Sequence, residues 1–184
     1  MKNTFISKMG FQKLGVVLFV LYAFGFNASA DVTITAPSLT VYSCTTFPTP
    51  YYTLGDIVIT ETAKDEITQC GCVQTLILTA PTNFEFNPNV GTVTESPADD
   101  VTAVTLDVTA TTITVTITTN AGGTSLTDVV TISGIGVRGI NGVTGASTVT
   151  RTGGTQVIVG DVNGTVHATL DSQNGGPAPT TSAA

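Results

Sequence analysis

The sequence predicts an all-β protein, a single antiparallel β-sandwich of roughly eight to ten strands. Three observations carry this. The stretch from Val101 to Thr119 alternates apolar and hydroxyl residues through most of its length, a period of two that belongs to a strand with one buried face. Short β-branched runs recur along the chain, separated by glycine and proline turns. No convincing helix is read beyond residue 30, and no self-similarity at a solenoid period is present.

Met1 to Ala30 has the three-part pattern of a secretory signal peptide: Lys2, Lys8 and Lys13, then an apolar run from Leu14 to Phe24, then Ala28-Ser29-Ala30. The apolar run is shorter than the ~20 residues a spanning helix needs, so cleavage after Ala30 and export without membrane insertion are expected. The mature chain keeps Lys64, Arg138 and Arg151 against thirteen acidic residues. Such an acidic surface repels a phosphate backbone, so nucleic acid is excluded as a partner. Residues 31–170 are expected to form the sandwich. From Ser172 onward the side chains cannot build a core, so 171–184 reads as a disordered tail or linker.

Val32-Thr33-Ile34 and Leu39 to Tyr42 read as one strand broken near Pro37, which cannot donate to a ladder. Alternate prolines in Phe47-Pro48-Thr49-Pro50-Tyr51-Tyr52 favour an extended crossing. Asp56 to Thr60 is the next strand, and Ala63 to Thr68 a loop tip. Val73 to Ala80, apolar on both sides, is expected centrally. Phe84 and Phe86 share one face and read as core.

Folding the alternating stretch at Ala110-Thr111 sets Val108 opposite Ile113, Leu106 opposite Val115 and Val104 opposite Ile117. One face of this hairpin is then aliphatic, and the other carries Thr105, Asp107, Thr114 and Thr116. A slip of one residue would destroy the match, so the register is well specified. In Val129 to Val137 the apolar parity changes at Gly134, as a β-bulge would produce. Thr148 to Thr150 and Val157 to Val159 read as short strands, and Val166 to Leu170 as a weak last one.

Cys44, Cys70 and Cys72 suit an oxidising compartment. Cys70-Gly71-Cys72 on an extended segment puts both thiols on one side, so Cys44 is expected to pair with either; a loop of roughly 27 residues so closed contributes about 3.5 kcal/mol on the chain-entropy model. Three cysteines and a distant His167 lack the paired spacing of a zinc site.

Candidate chemistry is sparse. The single histidine, His167, has no serine-hydrolase, zincin or phosphate-loop motif around it. Asp65-Glu66 and Asp99-Asp100 are adjacent pairs that read as solvated loop acids, so no catalytic or metal residues are assigned. Asp161-Val162-Asn163-Gly164 begins like a calcium loop but lacks its later glycine and bidentate glutamate, and reads as a plain turn; calcium is the one cofactor it leaves open. Asn163-Gly164-Thr165 also fits the N-glycosylation pattern. Tyr42, Phe47, Tyr51 and Tyr52 cluster in one stretch and are candidate glycan contacts. The plainer alternative is that these rings seal the open edge of the sandwich.

The segments Tyr52 to Ile59, Thr75 to Val93, Thr112 to Thr116 and Leu126 to Gly139 resemble a module of large secreted surface proteins of the Bacteroidota. Those proteins are often exported by the type IX system and are adhesin-like. The resemblance implies an architectural or adhesive unit with no catalytic residues to carry over. This chain departs from that context, with a single copy and no C-terminal sorting domain evident after Leu170, so the expectation is a fragment or a small relative exported differently. More distantly, the layout of a Leu-rich strand, an aromatic return and a late Thr-Ile-Thr-Val strand is similar to cohesins and carbohydrate-binding jelly rolls, with an immunoglobulin-like sandwich as the other layout of this size. The expectation is a non-enzymatic structural or adhesive module outside the cell, its partners other surface proteins or extracellular glycans. The alternative is a carbohydrate-binding module using Tyr42 to Tyr52. Uncovered sheet edges would also permit weak self-association.

Overall fold

The computed structural model describes residues 31–43, 49–122, 126–142 and 144–174. The signal-peptide reading of 1–30, the residues Cys44 and Phe47, and the tail beyond 174 lie outside the described residues. The described chain is an all-β sandwich built from β1 (Thr33–Thr35), β2 (Ser38–Ser43), β3 (Tyr52–Thr53), β4 (Ile57–Thr60), β5 (Val73–Thr79), β6 (Phe84–Phe86), β7 (Thr92–Ser96), β8 (Val101–Val108), β9 (Thr112–Thr119), β10 (Val129–Ser133), β11 (Gly136–Gly139), β12 (Gly145–Gly153) and β13 (Val166–Asn174).

One layer is a six-stranded sheet in the order β2-β13-β12-β5-β9-β8. Its β8–β9 hairpin has the expected register, with Val108 paired to Ile113, Leu106 to Val115 and Val104 to Ile117. Ile113, Val115 and Ile117 are fully buried against Leu76 and Leu78 of β5. β5 lies between β9 and β12, as its two apolar faces require.

The facing layer comprises two small sheets, β1-β4-β10-β7 and β3-β11-β6. They are two lengths of one ribbon, because β3 runs into β4, β6 into β7 and β10 into β11 along the chain. The interruption is bridged by Leu54 N–H donating to the Ile135 carbonyl at 2.8 Å and Asn87 N–H to the Gly136 carbonyl at 2.9 Å. Gly134 sits at the break with φ of 70°, a left-handed conformation that costs glycine little. Gly91 is there too, at φ of 129°, and a Cβ on it would lie 2.6 Å from Ile135 Cδ1.

Several expectations are corrected here. Val32 to Tyr42 is not one interrupted strand. The chain crosses at Ala36-Pro37 from the four-stranded sheet, where β1 pairs with β4, to the six-stranded sheet, where β2 pairs with β13. That β2–β13 pairing is parallel, so the sandwich is mixed rather than wholly antiparallel. The parity change at Gly134 marks the passage from β10 to β11, not a bulge within one strand. Val157 to Val159 forms only two isolated bridges, from Ile158 to Ile67 and to Asp161. The last strand runs past residue 170 to Asn174 and is held on both sides, by β12 and β2. Thirteen described strands exceed the expected count mainly because the second layer is interrupted.

A contiguous core fills the space between the layers. Phe84 and Phe86 are buried in it, on the same face as expected.

Candidate functional site

Three polar features interrupt this apolar body. The first lies on the outer face of the six-stranded sheet. Registration across β8, β9, β5 and β12 sets Thr105, Thr116 and Thr75 in one row, and Thr112, Thr79 and Thr150 in another. Between them Asp107, Thr114 and Ile77 form a row. The hydroxyls stand outward because the same strands turn Ile113, Val115, Leu76 and Leu78 inward. The result is a wet, weakly charged face.

The second feature is the aromatic stretch. Tyr52 pairs with Val137, which also pairs with Phe86, so these three share the core side of the ribbon. Tyr52 accordingly packs against the core. Its ring lies 6.2 Å from that of Tyr42, tilted by 58°. The two therefore do not make a coplanar platform. Tyr51 points to the opposite side, where Arg138 and Glu85 are cross-strand partners. Tyr51 donates its hydroxyl to Glu85 Oε1 at 2.9 Å, Arg138 pairs with the same carboxylate, and the Arg138 guanidinium stacks 4.6 Å from the Tyr51 ring centroid. Burial, and then the Glu85 carboxylate, raise the Tyr51 phenol above its ordinary value.

The third feature is buried charge, in two clusters. Arg151 on β12, His167 on β13 and Asp161 in the connection between them are all inside. Asp161 Oδ1 lies 3.1 Å from His167 Nε2 and Asp161 Oδ2 lies 3.3 Å from Arg151. Arg151 also donates to the carbonyls of Asp161 and Gln156. The connection from Gly154 to Thr165 is thus pinned beneath by one guanidinium. His167, expected on a weak terminal strand, is fully buried in a strand paired on both sides, and its acid partner lies only six residues away. The Asp161 carboxylate, expected at the head of a turn, is turned inward, while Gly164 makes the turn at φ of 96°.

The other cluster is Glu61, Asp100 and Asp128, which bring one carboxylate oxygen each to within 4.8 Å of one another. Glu61 follows β4, Asp128 precedes β10 and Asp100 precedes β8, so the cluster joins the two layers at one end of the sandwich. Glu61 accepts from Ile67 N–H at 2.6 Å and Asp128 N–H at 2.8 Å. Asp128 Oδ2 accepts from the N–H groups of Asp100 and Val101, each at 3.2 Å. Desolvation by burial raises the pKa of both Glu61 and Asp128, against the lowering by these backbone bonds, and the neighbouring carboxylates add to the rise. Asp100, read from sequence as a solvated loop acid, is fully buried. No local signal groups these three acids, which are far apart in the chain.

The cysteines depart from expectation. Cys70 pairs with Cys72 rather than with Cys44. Gly71 adopts φ of 62°, so Cys70-Gly71-Cys72 is a turn instead of an extended segment, and the turn brings the two Cα atoms to 5.1 Å, inside the range a disulfide spans.

No family model matches the chain, and no curated protein matches it. Among solved structures it is similar to a non-cellulosomal cohesin from the hyperthermophilic archaeon Archaeoglobus fulgidus, at 18% identity and a TM-score of 0.40, over 78% of this chain and 92% of that one.

Proposed function

We propose that the protein is an extracellular, non-catalytic β-sandwich module that serves as a structural or adhesive surface toward other surface proteins or extracellular glycans. The observation that supports this reading is the threonine face of the six-stranded sheet. Hydroxyls on a rigid sheet cost little to desolvate compared with charges, and they offer donors and acceptors to a flat partner. The buried titratable groups are engaged in holding loops, a role that fits a scaffold. The signal-like leader supports export. The test is adhesion of beads coated with the protein to the surface of the source cells or to immobilised extracellular glycans. Thr105→Lys with Thr116→Glu, opposite charges on a cross-strand pair, should abolish adhesion and leave the melting temperature nearly unchanged. Unimpaired adhesion would overturn the role of this face. Hydrolytic turnover on ester, peptide or glycoside substrates that is lost in His167→Ala would overturn the non-catalytic reading.

Glycan binding through the aromatic stretch is the second reading, favoured by the outward Tyr51–Arg138–Glu85 group. Saturable binding on a glycan array, lost in Tyr51→Ala, would put it first.

A further inference from the structure

We propose that Glu61, Asp100 and Asp128 form a calcium-binding site that clamps the two layers of the sandwich together at one end. Three carboxylates converge to within 4.8 Å, and all three residues are buried. Charge of one sign so concentrated away from water is costly unless a cation or protons compensate it. Among the described residues, neither Glu61 nor Asp128 takes part in an ion pair.

A second observation is independent of the clustering. Asp128 is fully buried, yet among the described residues its Oδ1 has no hydrogen-bond partner. Its other oxygen is held by the two N–H groups that open β8, which fixes the carboxylate in place with one oxygen left to coordinate. Glu61 is fixed through both oxygens, Oε1 by Ile67 N–H and Oε2 by Asp128 N–H, each of which keeps a second lone pair to offer. The donors are oxygens only, which selects a hard cation over zinc or copper. Calcium accepts irregular sets of carboxylate and carbonyl oxygens, whereas magnesium keeps several waters in a strict octahedron. A buried cluster of carboxylates therefore suits calcium. The ion would tie the end of β4 and the start of β10, in one layer, to the start of β8 in the other.

Equilibrium dialysis of the EDTA-treated protein against calcium, followed by metal analysis, should find one ion per chain. In about 10 mM calcium chloride the melting temperature should rise by about 5–10 °C over its value in EDTA, for a Kd on the order of 10⁻⁴ M as in extracellular modules. Asp128→Asn keeps an acceptor for the two N–H groups and removes the charge. It should lose both binding and shift, and in EDTA it should melt no lower than the parent, because repulsion is relieved. Glu61→Gln is the second variant should the first fail to fold. In the parent protein the amides of Ile67, Asp100, Val101 and Asp128 should gain hydrogen-exchange protection in calcium.

No bound ion at 10 mM calcium, or unchanged protection at those four amides, would overturn the site. An equal shift in magnesium would overturn the choice of cation. A shift retained in Asp128→Asn but lost in Asp161→Asn would place the ion at the turn of residues 161–164 instead.

Discussion

The backbone N–H of Glu61 donates to the carbonyl of Asp128 at 3.0 Å, and the N–H of Asp128 returns a bond to the Glu61 side chain, at Oε2 and 2.8 Å. The β4–β10 ladder, whose last pair is Thr60 with Val129, is thereby extended by one step in which a carboxylate replaces a carbonyl. The other Glu61 oxygen closes the loop onto Ile67, so one side chain terminates a strand pair and folds the loop beside it.

Glu61→Ala should therefore destabilise the protein in calcium-free buffer by about 2–4 kcal/mol, because two buried N–H groups lose their acceptor. Relief of repulsion with Asp100 and Asp128 offsets part of the loss. Urea unfolding at neutral pH measures it, with Glu61→Gln expected to lose less. A change below about 0.5 kcal/mol, the range of ordinary surface substitutions, would show that the carboxylate is not what holds these groups.

Arg151 is the second internal fastener. Arg151→Met leaves the Asp161 carboxylate and two carbonyls inside without their cation, and should cost about 3–5 kcal/mol. Combining it with Asp161→Asn should recover part of that loss, since the stranded charge is gone. A double variant as unstable as the sum of the two single ones would show that the pair is not coupled.

Tyr51 provides a pH signature. Its phenol is raised from 10.0, first by burial and then by Glu85. The folded state thus favours the neutral phenol more than the unfolded chain does. The stability so contributed is intact below pH 10.0 and lost as pH rises through the folded-state value. Near-ultraviolet absorbance should show a late tyrosinate phase that disappears in Tyr51→Phe and moves to lower pH in Glu85→Gln. A late phase that persists in Tyr51→Phe would assign it to another tyrosine.

The Cys70–Cys72 pairing shrinks the contribution expected from a disulfide. Closing a loop of about three residues contributes roughly 1.5 kcal/mol on the chain-entropy model, less than half of what a 27-residue loop would. Reduction should lower stability by about that amount. A non-reduced digest that links Cys44 to Cys70 or Cys72 would contradict this pairing.

What the sequence determined by itself is the local pattern. Leu106 opposite Val115 and Val108 opposite Ile113 were legible because side chains alternate strictly along a strand and only one register buries every aliphatic residue. Phe84 and Phe86 on one face follow from the same period, as does the outward threonine face. Which sheet a strand joins is not periodic information. Val32 to Tyr42 and Val129 to Val137 each read as one strand, yet the chain crosses to the other layer at Pro37 and passes between the two small sheets of the interrupted layer at Gly134. The tertiary structure alone decided the buried polar groups. Glu61, Asp100 and Asp128 come from three separate connections; Asp100 read as a solvated loop acid, and nothing in the sequence singled out Glu61 or Asp128. They are brought together because β4 and β10 pair in one layer while β8 begins in the other, and burial then gives three ordinary loop acids a shared electrostatic environment that none has alone.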